Sequence, residues 1–523
     1  VVPLAIAVAV LVGCPSPTDA FSPEELPELP APVAAAPVVR GASVEPRRLR
    51  IALSGELRGE LEPCGCPTLP YGGFVRRERL LGELSVAGQP LLQLDAGETL
   101  LQGLAARRDE APELRSDLLG DLMSSIGVHA MTPGPTDLLA LGVDGLRRFD
   151  ARTTFPLLSA TWSLPDGQAL FPPSAVVEVD GLRVAVVGLS APPAAAETRD
   201  LVITQDAVEA AQAAVDELPP SDLVVALSNL SEADADRVAE EVSGLALVLT
   251  TRSGRHDPPR RGSGSLVVEV PSRGRYLTLL SVQSGAPSGW PAEESDHELL
   301  ARSWQLAEQL DVLGSKPDAR PEVVAALTSE QLEVEAALSA AADGRTLVWV
   351  EDRPLGARLD GDSVSGPLIE AYKGESLERA AEVVEAATSH DGPRYASSAA
   401  CTSCHSQQMA RWTFTAHARA YRSLQRRDAD ENPECLTCHT TGFGEAGGFA
   451  KLDRFNLSRF QGVQCEACHG MLAGHPGSTD VMPEPVTPAT CERCHDEANS
   501  PNFDFVSYLP RAHCTPVEKP LVE

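Results

Sequence analysis

The sequence predicts a multidomain protein: an α/β layered domain, then a helical linker, then a mainly helical or irregular, Cys-rich C-terminal region. Three observations carry this expectation. The chain has 523 residues, too many for one ordinary core, so two or three domains are the natural division. Short apolar runs alternate with helical patterns from residue 48 to 284. Nine of the twelve cysteines fall after residue 400, which is a local cofactor pattern and not a spread-out disulfide framework.

The strand candidates of the first domain (48–284) are Leu49–Leu53, Pro90–Leu94, Val176–Val179, Val184–Leu189, Leu223–Leu227, Leu245–Leu249 and Leu266–Val270. Helix-like segments such as Arg77–Leu84, Leu114–Ser124 and Ala207–Leu218 lie between several of them. Strands alternating with helices argue for a layered α/β domain. From 285 to 390 the pattern is that of a helical linker. Leu299, Leu300, Trp304, Leu306, Leu310 and Leu313 recur at helical spacing, and further helices are expected over Val323–Ala341 and Ser376–Ala387. A short strand candidate, Thr346–Val350, interrupts them. Such apolar stripes are packing surfaces, docking one domain on another or forming a homo-oligomer face. Residues 391–523 form the Cys-rich domain.

The first residues are almost wholly apolar up to Val12 and lead into Leu11-Val12-Gly13-Cys14, which resembles a bacterial lipobox. Residues 1–13 then read as a signal peptide and Cys14 as the lipid-bearing residue, with a plain signal peptide cleaved elsewhere as the alternative. Residues 14–47, rich in Pro, Ala and Glu, read as a semi-rigid tether. The expected location is therefore the periplasmic or cell-surface side, with a membrane anchor and the outer membrane favoured. The net charge of −31 argues against a nucleic-acid partner and suits basic or small soluble ones.

Four Cys-x-x-Cys-His motifs lie between residues 401 and 495. They are Cys401-Thr402-Ser403-Cys404-His405, Cys435-Leu436-Thr437-Cys438-His439, Cys465-Glu466-Ala467-Cys468-His469 and Cys491-Glu492-Arg493-Cys494-His495. Two thiols with two residues between them reach the two vinyl groups of one haem and form thioethers. The following His then points its imidazole at the iron. Four covalent haem c groups are expected, with His405, His439, His469 and His495 as proximal ligands. Zinc ribbons or disulfides are the alternatives, but neither needs His directly after each second Cys. Three further histidines, His417, His475 and His513, are candidate distal ligands, and His390 is a weaker fourth. A second imidazole makes a six-coordinate haem suited to electron transfer, and a missing one leaves an open position.

The motifs sit among further residues: Trp412, His417-Ala418-x-Ala420-Tyr421, Asn432-Pro433 before the second motif, Thr441-Gly442-Phe443 after it, and Gly462-Val463-Gln464 before the third. Together, over about residues 391–515, they resemble the tetrahaem cytochrome family of bacterial ammonia oxidisers. That family carries electrons away from hydroxylamine oxidation. The resemblance implies three bis-His haems and one five-coordinate haem, the second in chain order. Family members usually read Cys-His-Gly-Pro-Gly-Ser-x-His after the third motif, whereas this chain has His469-Gly470-Met471-Leu472-Ala473-Gly474-His475. The His keeps its spacing and the small residues do not.

The first strand and loop, Ile51-Ala52-Leu53-Ser54-Gly55-Glu56-Leu57-Arg58-Gly59, is similar to the opening of the 5′-nucleotidase type of metallophosphoesterase. The resemblance implies that fold, but the ligand positions are changed. Glu56 and Arg58 stand for Asp and His, and Asp95-Ala96-Gly97-Glu98 for Asp-Ala-Gly-Asp. Gly134-Pro135-Thr136-Asp137 stands for Gly-Asn-His-Glu, Asn229 for His, and Thr251-Arg252-Ser253-Gly254 for Gly-His-x-His. A two-metal site needs converging His and carboxylates, and Arg is always cationic. The expectation is a fold kept without phosphatase chemistry, with the carboxylates Glu56, Asp95, Glu98 and Asp137 compatible with one weakly held cation. Glu62-Pro63-Cys64-Gly65-Cys66 with Gly72-Gly73-x-x-Arg76-Arg77 resembles an exported subset in which some relatives carry selenocysteine in the Cys pair. Cys64 and Cys66 are thus a candidate redox or soft-metal pair, with a structural disulfide or inert thiols as the alternative. Cys514 has no assigned role.

Three functions follow. The first is a lipid-anchored electron carrier with unidentified redox donor and acceptor proteins. The second is a multihaem oxidoreductase acting on a small nitrogen or sulfur species at an open haem. The third, disfavoured by the lost ligands, is a nucleotidase-like hydrolase.

Overall fold

The computed structural model describes residues 48–64, 71–86, 90–100, 112–251, 259–262, 265–283, eight positions between 299 and 313, 320–342, 347–391, 394–426, 429–475, 477–478, 480–495, 500 and 502–512. The lipobox and tether lie outside the described residues.

The strands are β1 (Arg48–Ser54), β2 (Pro63–Cys64), β3 (Tyr71–Gly72), β4 (Leu91–Asp95), β5 (Ala130–Met131), β6 (Trp162–Ser163), β7 (Ser174–Val179) and β8 (Leu182–Leu189). They continue with β9 (Ile203–Thr204), β10 (Leu223–Ser228), β11 (Leu247–Thr251), β12 (Arg260–Arg261), β13 (Leu266–Val270), β14 (Tyr276–Gln283) and β15 (Leu347–Pro354). Two mixed sheets form, with strand orders β15-β14-β1-β4-β5 and β12-β13-β11-β10-β8-β7. In the first, Ile51 lies opposite Leu92 in a parallel pair and opposite Leu280 in an antiparallel one. In the second, Val225 lies between Val186 and Leu247, both parallel.

Alternate residues of both sheets meet in one buried cluster. Ile51, Leu53, Leu92 and Leu280 from the first sheet pack with Val186, Val225, Leu249 and Val268 from the second. The intervening residues face helices. Ala52, Leu277 and Leu279 pack on Leu80, Leu81 and Leu84 of helix Phe74–Val86. Val187, Val224, Ala226 and Val248 pack on helices Ala207–Asp216 and Glu232–Glu241. Strands buried on both faces read as continuous apolar runs, which is why most of them stand out in the sequence. The layered α/β expectation is met.

Two helices are not among the expected segments. Glu232–Glu241 is short and acidic, capped by Ser231 Oγ on the Asp234 N–H at 3.2 Å. Pro135–Arg152 carries Gly142 at φ 63 in its middle, a left-handed break that hides its helical period.

The linker is more than helices. The strand expected at 346–350 is the start of β15, which pairs along its length with β14 and sets Val350 opposite Leu280. The segment from 285 to 390 therefore completes the first sheet. Helix Pro321–Ala342 matches its expected span, and helix Ser365–Asp391 runs longer than expected, 27 residues or about 40 Å. Ile369 and Tyr372 near its start are buried with Leu61, Phe74, Leu100 and Leu119 of the first domain. Further along, Leu377 packs on the C-terminal cluster, and Thr388 Oγ1 accepts the Gly447 N–H at 2.8 Å. Among the described residues no helix is long and apolar enough to cross a membrane.

The C-terminal region is built of helices of four to seven residues joined by irregular segments. Its buried cluster is small: Tyr395, Tyr421, Leu424, Leu436, Phe449 and Phe460.

Removing β15 leaves β14 as a bare apolar edge, a ready template for intermolecular pairing. A fragment of residues 48–284 is expected to aggregate, and one of residues 48–391 to run as a folded species. Size-exclusion chromatography of the two fragments checks this, and equal behaviour would contradict the placement of β15.

Candidate functional sites

Each Cys-x-x-Cys-His motif forms about one helical turn. The His405 N–H bonds the Cys401 carbonyl at 2.9 Å, and the His495 N–H bonds that of Cys491 at 2.9 Å. The second and third motifs lie in helices Pro433–His439 and Cys465–His469. One turn brings cysteines three apart onto one face, with the His at its end. The eight cysteines are partly or fully exposed, and none is in a disulfide. Among the described residues, no three His, Cys, Asp or Glu side chains converge on a common ion position, unlike a zinc ribbon.

Of the four motif imidazoles, those of His439, His469 and His495 are held at one nitrogen. His439 Nδ1 lies 2.8 Å from the Ala420 carbonyl and 3.3 Å from Ser423 Oγ. His469 Nδ1 lies 3.2 Å from the Glu484 carbonyl, and His495 Nδ1 lies 2.7 Å from Ser500 Oγ. Of the candidate distal residues, His475 Nδ1 lies 3.2 Å from the Val481 carbonyl. This leaves Nε2 as the outward nitrogen, as when a ligating His is oriented by a hydrogen bond at its other nitrogen. His417 is half-buried, and its ring centroid is 6.0 Å from that of His495. Burial, helped by the neighbouring His495, lowers its pKa and favours the neutral imidazole, the form that ligates. Phe503 stacks on His495 at 5.1 Å, with Tyr508 edge-on at 5.7 Å. His513, Cys514, Cys66 and Cys14 lie outside the described residues. Cys64 is in β2, where it pairs with Tyr71.

The motifs are tied to one another by residues whose bonds the sequence does not show, several of them among those that carry the cytochrome resemblance. Glu466, a spacer residue of the third motif, is 3% exposed. Its carboxylate accepts the N–H groups of Ala396 (2.8 Å), Ser397 (2.8 Å) and Leu472 (3.0 Å). Gln464 Oε1 accepts the Ser398 N–H at 2.8 Å. These bonds set the third motif against the segment that leads into the first. Trp412 Nε1 donates to the Val463 carbonyl at 2.8 Å, and the Val463 N–H to that of His417 at 3.0 Å. The signals for these ties were a Glu inside a haem motif and the flanking Trp412, Val463 and Gln464 of the resemblance.

In the first domain, the loops after β1 and β4 meet the start of helix Pro135–Arg152 and the end of β10. Asp95 accepts Ser54 Oγ (2.7 Å), the Gly97 N–H (3.0 Å) and Thr99 Oγ1 (2.7 Å). Asp137 accepts four backbone N–H groups, from Glu98 (2.9 Å), Thr99 (2.9 Å), Leu100 (2.7 Å) and Gly134 (2.8 Å). Burial pushes the Asp137 pKa up to about 7, with Glu98 adding to it and the Gly134 and Leu100 N–H groups opposing. Asn229 Nδ2 donates to the carbonyls of Ala96 (3.1 Å), Thr132 (3.1 Å) and Pro133 (3.2 Å), and its Oδ1 accepts the Ala191 N–H (2.8 Å). Glu98 accepts the Thr136 N–H at 2.9 Å and the Thr136 hydroxyl, and Glu56 pairs with Arg58. Glu56, Arg58, Glu98 and Arg273, whose N–H bonds the Glu56 carbonyl, all have φ between 50 and 62. Backbone strain of this kind clusters at active sites, ligand clamps and switch regions. Arg252, Ser253 and Gly254 lie outside the described residues. Arg76 is bidentate to Asp360, at 2.6 and 3.2 Å, and burial lowers the pKa of Arg77 to about 10.

Asp137→Ala would leave four buried N–H groups without an acceptor. It is expected to cost about 3 kcal/mol or more of stability, and Asp137→Asn distinctly less. Denaturant unfolding of the variants measures this, and a loss below about 0.5 kcal/mol would show the network to be dispensable.

Residues 400–470 match the family model described as cytochrome c554 and c-prime. The chain is 34% identical over 85 residues to cytochrome c-554 of Nitrosomonas europaea, covering 13% of this chain and 35% of that protein. It therefore spans about a third of the length of that curated relative. Similar solved structures include a 5′-nucleotidase precursor from Thermus thermophilus, at 21% identity and a TM-score of 0.45, covering 64% of this chain and 59% of that one. Another is the calcineurin-like phosphoesterase YfkN from Bacillus subtilis, at 13% identity and a TM-score of 0.44, covering 64% of this chain and 99% of that one. The cytochrome resemblance read from the sequence is thus met over residues 400–470.

Proposed function

We propose that the chain is an exported, lipid-anchored tetrahaem c-type cytochrome that carries electrons, with a phosphoesterase-like domain that no longer runs metal-dependent hydrolysis. The carrying observation is the set of four Cys-x-x-Cys-His turns in which three of the following imidazoles are held at Nδ1. The cysteines of each turn would form the thioethers, and His405, His439, His469 and His495 would be the proximal ligands. The region fits such groups in a second way. Its own core is small, and Phe414, Phe455, Met482 and Val506 stand well exposed, apolar surface that a porphyrin face would cover.

When bound, haem c supplies reversible one-electron chemistry. The chain's part is to orient the ligands. With metal–nitrogen bonds of about 2 Å, two imidazoles on one metal have centroids about 6 Å apart, and the His417 and His495 rings stand at 6.0 Å. This supports His417 as the distal partner of the fourth motif. His475 and His513 are assigned to two others, leaving one iron five-coordinate. That open position favours the second reading, an oxidoreductase for a small nitrogen or sulfur species, over a simple carrier only if it proves reactive. In the first domain, Arg58 and Asn229 occupy former ligand positions, and protein donors already engage Asp95, Glu98 and Asp137.

A pyridine haemochrome assay with protein mass is expected to give four haems per chain after competent maturation, and a lower number would sink the tetrahaem reading. Electron paramagnetic resonance should show one high-spin ferric signal in the wild type. His417→Ala should add a second while all four haems stay attached, and an unchanged spectrum would remove His417 from the ligand set. Hydrolysis of AMP or bis-p-nitrophenyl phosphate with added divalent metals should stay at background, and robust turnover would restore the hydrolase reading.

A further inference from the structure

The second haem motif is held partly from outside the cytochrome region. Asn432 is 5% exposed and starts helix Pro433–His439: its carbonyl accepts the N–H groups of Cys435 (3.0 Å) and Leu436 (3.1 Å). Its Nδ2 donates to Glu62 Oε2, in the loop that leads into β2 of the first domain. The other oxygen of Glu62 accepts from Lys373 Nζ at 2.7 Å. Lys373 lies on helix Ser365–Asp391 and also pairs with Glu370 at 2.7 Å. The Lys373 side chain is 12% exposed, that of Glu62 is 29% and that of Glu370 is 68%. Burial opposes the Lys373 charge, but its bonds to Glu370 and Glu62 hold its pKa above the usual lysine value. Three parts of the chain therefore converge on the first turn of the helix that ends in His439. By contrast, the first and third motifs are tied to each other through Glu466 and Gln464.

We propose that the Glu62–Lys373 pair couples the first domain to the haem carried by Cys435, Cys438 and His439, positioning its helix and setting that haem's midpoint potential. The proposal rests on the tetrahaem reading above. Adding an electron to a haem adds negative charge, so a nearby carboxylate opposes reduction and a nearby ammonium favours it. Partly buried charges are screened little, and their effect falls most on the haem whose helix they hold. Glu62 and Lys373 are positioning and tuning residues in this scheme, and neither is a ligand.

The experiment is a redox titration of the matured full-length holoprotein, with optical and paramagnetic detection. A Cys435→Ser/Cys438→Ser protein that lacks this haem identifies its midpoint. Glu62→Gln removes the carboxylate charge while keeping an acceptor oxygen for Asn432, and is expected to raise that one midpoint. Lys373→Met leaves Glu62 and Glu370 uncompensated, and is expected to lower it. The other three midpoints should not move. Glu385→Gln, which alters an exposed pair between the same helix and Lys451, should change none. A purely structural role would shift both variants in one direction. Shifts of like sign, no shift in either variant, or equal movement of all four haems would each overturn the proposal. If Glu62→Ala fails to mature, the isosteric Gln variant still gives the answer. A haem count other than four would instead fail the tetrahaem reading, and it is read separately, from protein mass.

Discussion

The constraint on which the molecule depends is the small core of its C-terminal region. Six buried side chains, four Phe or Tyr around Leu424 and Leu436, cannot hold more than a hundred residues of short helices by burial alone. The region is instead held by point contacts. Glu466 and Gln464 lash the first motif to the third, and Trp412 and Val463 fix the segment carrying His417. Helix Ser365–Asp391 supplies the external reference, with one part sunk in the first domain's core and the other against Leu436 and its neighbours. Covalent attachment of large apolar groups at four turns would complete such a region much as disulfides complete small secreted domains.

The first domain has solved the opposite problem. Its core is ample, with two sheets back to back and helices on both outer faces. At the strand ends lies a polar centre of buried carboxylates. Buried carboxylates repel one another, and burial makes that repulsion costly. The chain answers with backbone N–H donors. Asp137 takes four of them, and Asn229 spans the carbonyls of three loop residues that a His could not reach with a single donor. The loops keep their left-handed residues and so their shape, while the side chains they present bind the protein to itself.

Legibility in the sequence follows the physics. Strands buried on both faces are readable as apolar runs, and the haem motifs are readable because covalent chemistry fixes their spacing. β14 is not among the expected strands, although Tyr276–Gln283 is as apolar as its neighbours. The run at 346–350 is visible as a strand, but its place in the first sheet is not, because its partner lies more than sixty residues earlier in the chain. Pro135–Arg152 is hidden twice, by the break at Gly142 and by residues 134–137 reading as a ligand loop when Asp137 also caps a helix. Glu62 and Glu466 stand inside motifs and Ser500 in none, but the partner of each is unreadable, since a single hydrogen bond between distant residues has no period and no spacing.

The same kind of single bond distinguishes the four motifs from one another. Identical Cys-x-x-Cys-His turns would give similar haems if nothing else touched them. The Nδ1 partners differ: a carbonyl and a hydroxyl for His439, a carbonyl at longer range for His469, and a hydroxyl alone for His495. A carbonyl only accepts, so it draws the Nδ1 proton and makes the imidazole a stronger donor to the metal. A hydroxyl can turn either way and exerts a weaker pull. Stronger donation favours an oxidised iron, so in the tetrahaem reading proposed above the second and third motifs would hold haems of lower potential than the fourth, whose His495 is also enclosed by Phe503 and Tyr508. Under that reading a graded set of potentials would give an electron a direction through the four groups, and the grading would lie in the residues that touch the histidines.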